Sequence, residues 1–214
     1  MKGVWTGLVT VMLLACAPAA WADDLNPPSW RGEEGTTFAK WEFMDPYPMP
    51  GADVENNPYG SAGAVVYPGQ GQTWQEEWGG RVGVWPLSGE IIVTIPNRPE
   101  PLPIKYIWVQ LTWSPQVLGA TPLVVETLWG AKASEIATVA LEPTGQPAPS
   151  DQWFHSTYQL ELMPNPPSEV VNVSGDIMVD ELVIDTWCVP EPATMALLGL
   201  GLIGVILGRR RKTR

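Results

Sequence analysis

Histidine and cysteine are almost absent from this chain: one His and two Cys in 214 residues. A single histidine, His155, rules out a His-rich zinc site, and the two cysteines lie far apart at Cys16 and Cys188. Basic residues are scarce as well, 12 against 23 acidic ones over the whole chain. Between positions 23 and 189 there are 22 acidic residues and only Arg31, Lys40, Arg81, Arg98, Lys105 and Lys132 to oppose them, a net of −16. Such a surface does not neutralise phosphates, so nucleic acid is excluded as a partner, and docking on anionic lipid is disfavoured. A strongly acidic domain is what solubility outside a cell asks for. There is no phosphate-binding glycine loop, no G-x-S-x-G elbow and no H-E-x-x-H pair. Two carboxylates would suffice for glycoside hydrolysis, but no pair stands out by spacing, and we expect neither a catalytic role nor a cofactor.

Long apolar runs occur only at the two ends. The first carries Lys2, an apolar stretch over 4–17, and then Ala20-Trp21-Ala22, the small-x-small pattern read by signal peptidase. Residues 1–22 are therefore expected to be a cleaved signal peptide, with Asp23 as the mature N-terminus. Leu13-Leu14-Ala15-Cys16 offers a lipobox-like alternative, in which Cys16 would be lipidated. Once the leader is removed only Cys188 remains, so no intramolecular disulfide can form even though export permits one.

The second run, 193–208, has no charged residue and is followed by Arg209, Arg210, Arg211, Lys212, Thr213 and Arg214. It falls slightly short of the ~20 residues an untilted membrane helix needs, and the cations at 209–212 would hold its end in the cytoplasm. Immediately before it stand Pro190, Glu191 and Pro192. The prolines keep this segment extended and out of the following helix. The tripartite tail over 189–214 resembles the PEP-CTERM sorting signal, with Pro190-Glu191-Pro192 as the namesake motif. That resemblance implies processing by an exosortase, passage through the inner membrane as a transient intermediate, and release or attachment at the surface of a Gram-negative cell that makes exopolysaccharide or biofilm matrix.

The middle of the chain, 23–188, reads as one all-β domain of ordinary size, a β-sandwich or jelly-roll-like fold. Short runs alternate with period two between glycine, proline and asparagine punctuation. In 104–113, Ile107, Val109, Leu111 and Trp113 would face one way and Tyr106, Trp108, Gln110 and Thr112 the other. In 154–162, Phe154, Ser156, Tyr158, Leu160 and Leu162 alternate with His155, Thr157, Gln159 and Glu161. Further strands are expected at 38–44, 64–67, 82–85, 90–95, 123–129, 136–141, 170–174 and 177–187. Only 131–141, through Ala131, Ala133, Glu135 and Ala137, could instead be helical. In the last strand the apolar phase shifts from Ile177 and Val179 to Leu182 and Ile184, which asks for a bulge at Asp180-Glu181. This segment weakly resembles the closing strand of carbohydrate-binding, lectin-like jelly rolls.

Ten tryptophans lie beyond residue 22. Most are expected in the core, yet Trp74, Trp78, Trp85, Tyr106 and Trp108 cluster in two neighbouring stretches and are candidate sugar-stacking residues, with Glu76 and Glu77 either as hydroxyl acceptors or as charges guarding a strand edge. Asp53, Glu55 and Asn57 present oxygens at alternate positions, a weak calcium candidate; a solvated loop is the plainer reading, and no metal is expected. The Asn172-Val173-Ser174 sequon is read as the end of a strand, and Cys188 as a small residue closing the last one. Two functions compete: a structural or interaction domain of the cell surface or extracellular matrix, and a glycan-binding module for exopolysaccharide.

Overall fold

Thirteen strands and no helix make up the described part of the computed structural model, residues 23–100, 102–127, 130–145 and 152–189. The expected signal peptide, the tail after Val189, and Trp129 lie outside it. The strands are β1 (Thr36–Trp41), β2 (Val54–Asn56), β3 (Gly63–Tyr67), β4 (Gln75–Trp78), β5 (Arg81–Leu87), β6 (Glu90–Pro96), β7 (Ile104–Pro115), β8 (Leu123–Glu126), β9 (Ala131–Lys132), β10 (Ser134–Ala140), β11 (Phe154–Leu162), β12 (Ser168–Ser174) and β13 (Ile177–Val189). They form two antiparallel sheets. The larger has eight strands in the order β10-β11-β7-β13-β1-β2, with β5 also on β13 and β4 on β5; the smaller runs β3-β6-β12-β8-β9.

The alternation read from the sequence sets which side chains meet between the sheets. Ile107, Val109, Leu111 and Trp113 of β7 are buried with Leu182 and Ile184 of β13, facing Ile91, Val93 and Ile95 of β6 and Val171 and Val173 of β12. This is a β-sandwich, with each sheet supplying one apolar face. A second, smaller cluster joins Val84, Trp153 and Met178, flanked by Trp78 and Leu141.

Strand β13 organises the large sheet. One of its edges pairs with β7 from Ile177↔Pro115 to Val189↔Ile104; the other pairs with β5 near Val179 and then with β1 from Leu182 to Trp187. Its register against β7 shifts between Val179 and Glu181, the bulge that the phase change demanded. The helical alternative over 131–141 is not adopted: β9 and β10 occupy it, and every residue of β10 is exposed because it forms an edge. The expected strand at 38–44 stops at Trp41, and Phe43 turns the chain with φ of 51°. There Gly83 is required: at φ +79°, a Cβ on it would come within 2.7 Å of the Phe43 carbonyl oxygen. Glu76 and Glu77 are exposed on β4, which among the described residues pairs with β5 alone and so presents charge along a sheet edge.

Candidate functional site

The end of β13 is the first place where fold and sorting sequence meet. Cys188 is fully buried, and its amide donates to the Gly35 carbonyl at 3.1 Å. Its thiol donates to Asn97 Oδ1 at 2.9 Å and lies 3.2 Å from Lys105 Nζ. Lys105, also fully buried, reaches across the sandwich to Glu169 Oε1 of β12 at 2.6 Å and donates to Asn97 Oδ1 at 2.9 Å. Burial pushes the Glu169 carboxyl up, and Lys105 opposes the shift. Asn97 donates in turn to Asn165 Oδ1 and the Pro166 carbonyl. The cluster thus ties both sheets together beneath the last residues of β13. Sequence reasoning passed over this pair although it left a signal. Lys105 is in phase with the inward-facing Ile107 and Val109, and Glu169 is in phase with Val171 and Val173.

The five aromatic candidates do not share one surface. Trp74 and Trp85 lie at the inner side of the large sheet; Trp74 is half-buried with Nε1 donating to the Phe43 carbonyl at 2.8 Å, while Trp85 is buried and its Nε1 has no partner. Trp78 packs edge-on against Trp153 with ring centroids 5.6 Å apart. Tyr106 and Trp108 point to the outer face, where Tyr106 tilts against Trp187 and Trp108 Nε1 donates to the Asn26 carbonyl at 2.8 Å. Trp187 also stacks on Trp30, their centroids 5.7 Å apart at 24°. Stacked rings cover one another, unlike a coplanar platform.

An open cleft of about 660 Å³ is lined by Pro46, Pro48, Met49, Tyr67, Trp74 and Trp85 together with Gln72 and neighbouring residues. Met49 and Tyr67, which line it, are each more than half exposed. Gln72, its one amide, is already engaged: Oε1 accepts from the Gly69 and Ser88 amides, and Nε2 donates to Ser88 Oγ and Gln116 Oε1. The cleft therefore offers apolar surface and little free hydrogen-bonding capacity.

Residues 23–34 run across the outer face of the large sheet and are held there by side chains. Asn26 donates to Gln110 Oε1 at 2.7 Å, and Gln110 Nε2 donates to Asp24 at 2.6 Å. Arg31 bridges Asp24 and Asp185, and Arg81 bridges Asp23 and Asp180. Burial pushes Asp185 and Asp180 each up to about 6 despite those arginines, and Glu181 up to about 8. The Asp24 carboxyl is held below its ordinary value: burial works against this, but the hydrogen bonds from Arg31 and Gln110 prevail. His155, buried beneath the same segment, is pushed down by desolvation.

The oxygens of the calcium candidate are spent on the backbone. Asp53 accepts from the Glu42 amide at 2.6 Å, Glu55 from the Ala62 amide at 2.5 Å, and Asn57 from the Tyr59 amide at 2.9 Å. Among the described residues no three His, Cys, Asp or Glu side chains converge as a metal site. Pro190, Glu191, Pro192 and the cations at 209–212 lie outside the described residues.

Compared with known proteins, residues 189–212 match the PEP-CTERM protein-sorting motif, which marks an exported protein with an exosortase as its processing partner. The chain also overlaps weakly with a solved carbohydrate-binding module, TmCBM27, described for its specific recognition of mannan. The two share 13% identity with a TM-score of 0.25, over 71% of this chain and 95% of that one. At that score the likeness supports nothing about a ligand. No curated protein matches the chain.

Proposed function

We propose that the β-sandwich is a non-catalytic structural or interaction domain of the cell surface or extracellular matrix, delivered there through its processed C-terminal tail. The observation that carries this reading is the junction. The sorting motif begins at Val189, which is also the last residue of β13, so no linker separates the tail from a strand paired on both edges. Anything joined to that end acts directly on the centre of the large sheet. Signal peptidase would free Asp23, an exosortase would act at the tail, and the inner membrane would be a stage in transit. The apolar cleft beside Trp74 and Tyr67 suits contact with a neighbouring protein surface better than contact with sugar hydroxyls, since its amide is already satisfied.

The glycan-binding reading has one observation in its favour. Tyr106, Trp108 and Trp187 share the outer face and bring three rings close together there, while Gln110 and Asp185 beside them are buried and already bonded to Asn26, Asp24 and Arg31. Binding of the exported protein to exopolysaccharide from the producing cells, lost in Trp108→Ala, would support it over the structural reading.

The sorting claim is tested by replacing Pro190, Glu191 and Pro192 together with alanine. The apolar span at 193–208 and the cationic stop are preserved, so membrane insertion is unchanged and only recognition is removed. The mutant is expected to stay full length in the inner membrane while the wild type loses its tail, as read by fractionation and intact mass. Wild-type protein retaining residues 193–214 in cells that contain an exosortase would show that the tail is a plain anchor.

A further inference from the structure

Acidic side chains gather where the described chain enters the fold at Asp23. Arg81 Nη1 bonds the Asp23 carboxylate and sits 2.7 Å from Asp180 Oδ2. The Asp23 and Asp180 side chains are only 16% and 12% exposed. Next to Asp180, Glu181 is 3% exposed and its Oε1 has no hydrogen-bond partner. Asp23, Asp180 and Glu42 all repel charge on Glu181, and Lys40 alone is set against them. Asp23 and Glu42 act on Asp180 in the same way. His155 faces Asp23 as well, but desolvation keeps it from contributing a proton near neutrality. Four carboxyl groups therefore gather around two full cations, Arg81 and Lys40, and Lys40 is also engaged with Glu42 at 2.6 Å.

Covalent geometry places one more group at the edge of this pocket, beside the Asp23 carboxylate. The α-nitrogen of Asp23 hangs from the same Cα as the side chain that grips Arg81, so it stays within about 4 Å of that carboxylate. In an uncut chain it is a neutral amide. Cut before Asp23, it becomes an ammonium, protonated at neutral pH because an α-amine titrates near 8.

We propose that the acidic pocket of Asp23, Glu42, Asp180 and Glu181 is completed by the α-ammonium that cleavage before Asp23 creates, so that removal of the leader and stabilisation of the folded domain are one event. The new charge meets the partly buried carboxylates where the effective dielectric is low and salt screens little. In a chain with its leader uncut the pocket lacks that charge, and the domain tightens only after release from the leader.

The test uses protein exported and processed in cells, native or with one glycine inserted between Ala22 and Asp23. Mass measurement identifies where each chain starts. The insertion moves the ammonium about 3.8 Å further along the chain and leaves every side chain in place. The native start is expected at Asp23, with a folding equilibrium constant about tenfold larger than that of the insertion variant at neutral pH, the scale of one ion contact in a partly buried setting. Glu181→Gln in both backgrounds is expected to shrink that ratio to about threefold or less. Equal stability, a ratio untouched by Glu181→Gln, or a native chain starting anywhere but Asp23 would overturn the proposal.

Discussion

Replacing Glu181 with glutamine should stabilise this protein, against the ordinary expectation for a buried polar substitution. Glu181 is pushed up to about 8, first by burial and then by Asp23, Asp180 and Glu42, with Lys40 opposing. The ordinary value for the group is 4.5, so between those two pH values the folded chain holds a proton that the unfolded chain has lost. Stability contributed by this group is therefore fully present below pH 4.5 and is lost as pH rises toward 8. At pH 7 the deficit is about 2.5 pH units, or about 3 kcal/mol, falling to a few tenths at pH 4. Glutamine has nearly the same shape, stays neutral in both states and escapes the deficit. Denaturant titration of the exported protein at pH 4, 7 and 8.5 should find Glu181→Gln more stable by about 2–3 kcal/mol at pH 7 and level with wild type at pH 4. A variant that is no more stable at pH 7, or whose advantage is the same at pH 4, would refute the reasoning.

Lys105→Met should cost about 3–5 kcal/mol, because it strands the Glu169 carboxylate in the sandwich. Adding Glu169→Met should recover more than half of that in the same denaturation assay, since the pair itself contributes little net stability. Cys188 should resist thiol reagents in the native protein and react fully in strong guanidinium, as a buried thiol donating to Asn97 must; native-state labelling would show that the end of β13 opens.

The sandwich was readable wherever a strand has one wet face and one dry face. The runs at 104–113 and 154–162 alternate in residue type, which was enough to place them, although Gln110, Thr112, His155 and Thr157 on their outer face are buried as well; the shift at Asp180-Glu181 located the bulge because a single inserted residue inverts every later side chain. Strands β2, β4 and β9 escaped notice for the opposite reason: they are two to four residues long and nowhere buried, so they carry no period. Alanines at 131, 133 and 137 favoured a helix locally, but pairing of β10 with β11 prevailed, a tertiary contact overriding propensity. The polar layer under residues 23–34 was invisible because that segment joins no ladder. Its grip depends on which distant side chains face it, as Arg31 and Asp185 do across 154 positions of sequence.

The boundary between domain and tail follows from the chemistry of one residue. Strand β13 has partners on both edges almost to its end, with Val189 still opposite Ile104 and the Cys188 amide bonded to Gly35. A strand so placed would continue while donors remained available on its neighbours. Pro190, the next residue in the sequence, has no N–H to offer a ladder and a restricted φ, so the sequence itself disfavours carrying the strand further into the sorting motif, which begins at Val189. The same proline forces the preceding residue toward an extended conformation, the form in which a strand leaves a sheet and in which a processing enzyme can take hold of it. Just inside it the buried Lys105–Glu169 pair crosses between the two sheets, and the Cys188 thiol of β13 bonds into the same cluster through Asn97 and Lys105, so the last strand is fastened to the sandwich core up to the residue before the motif.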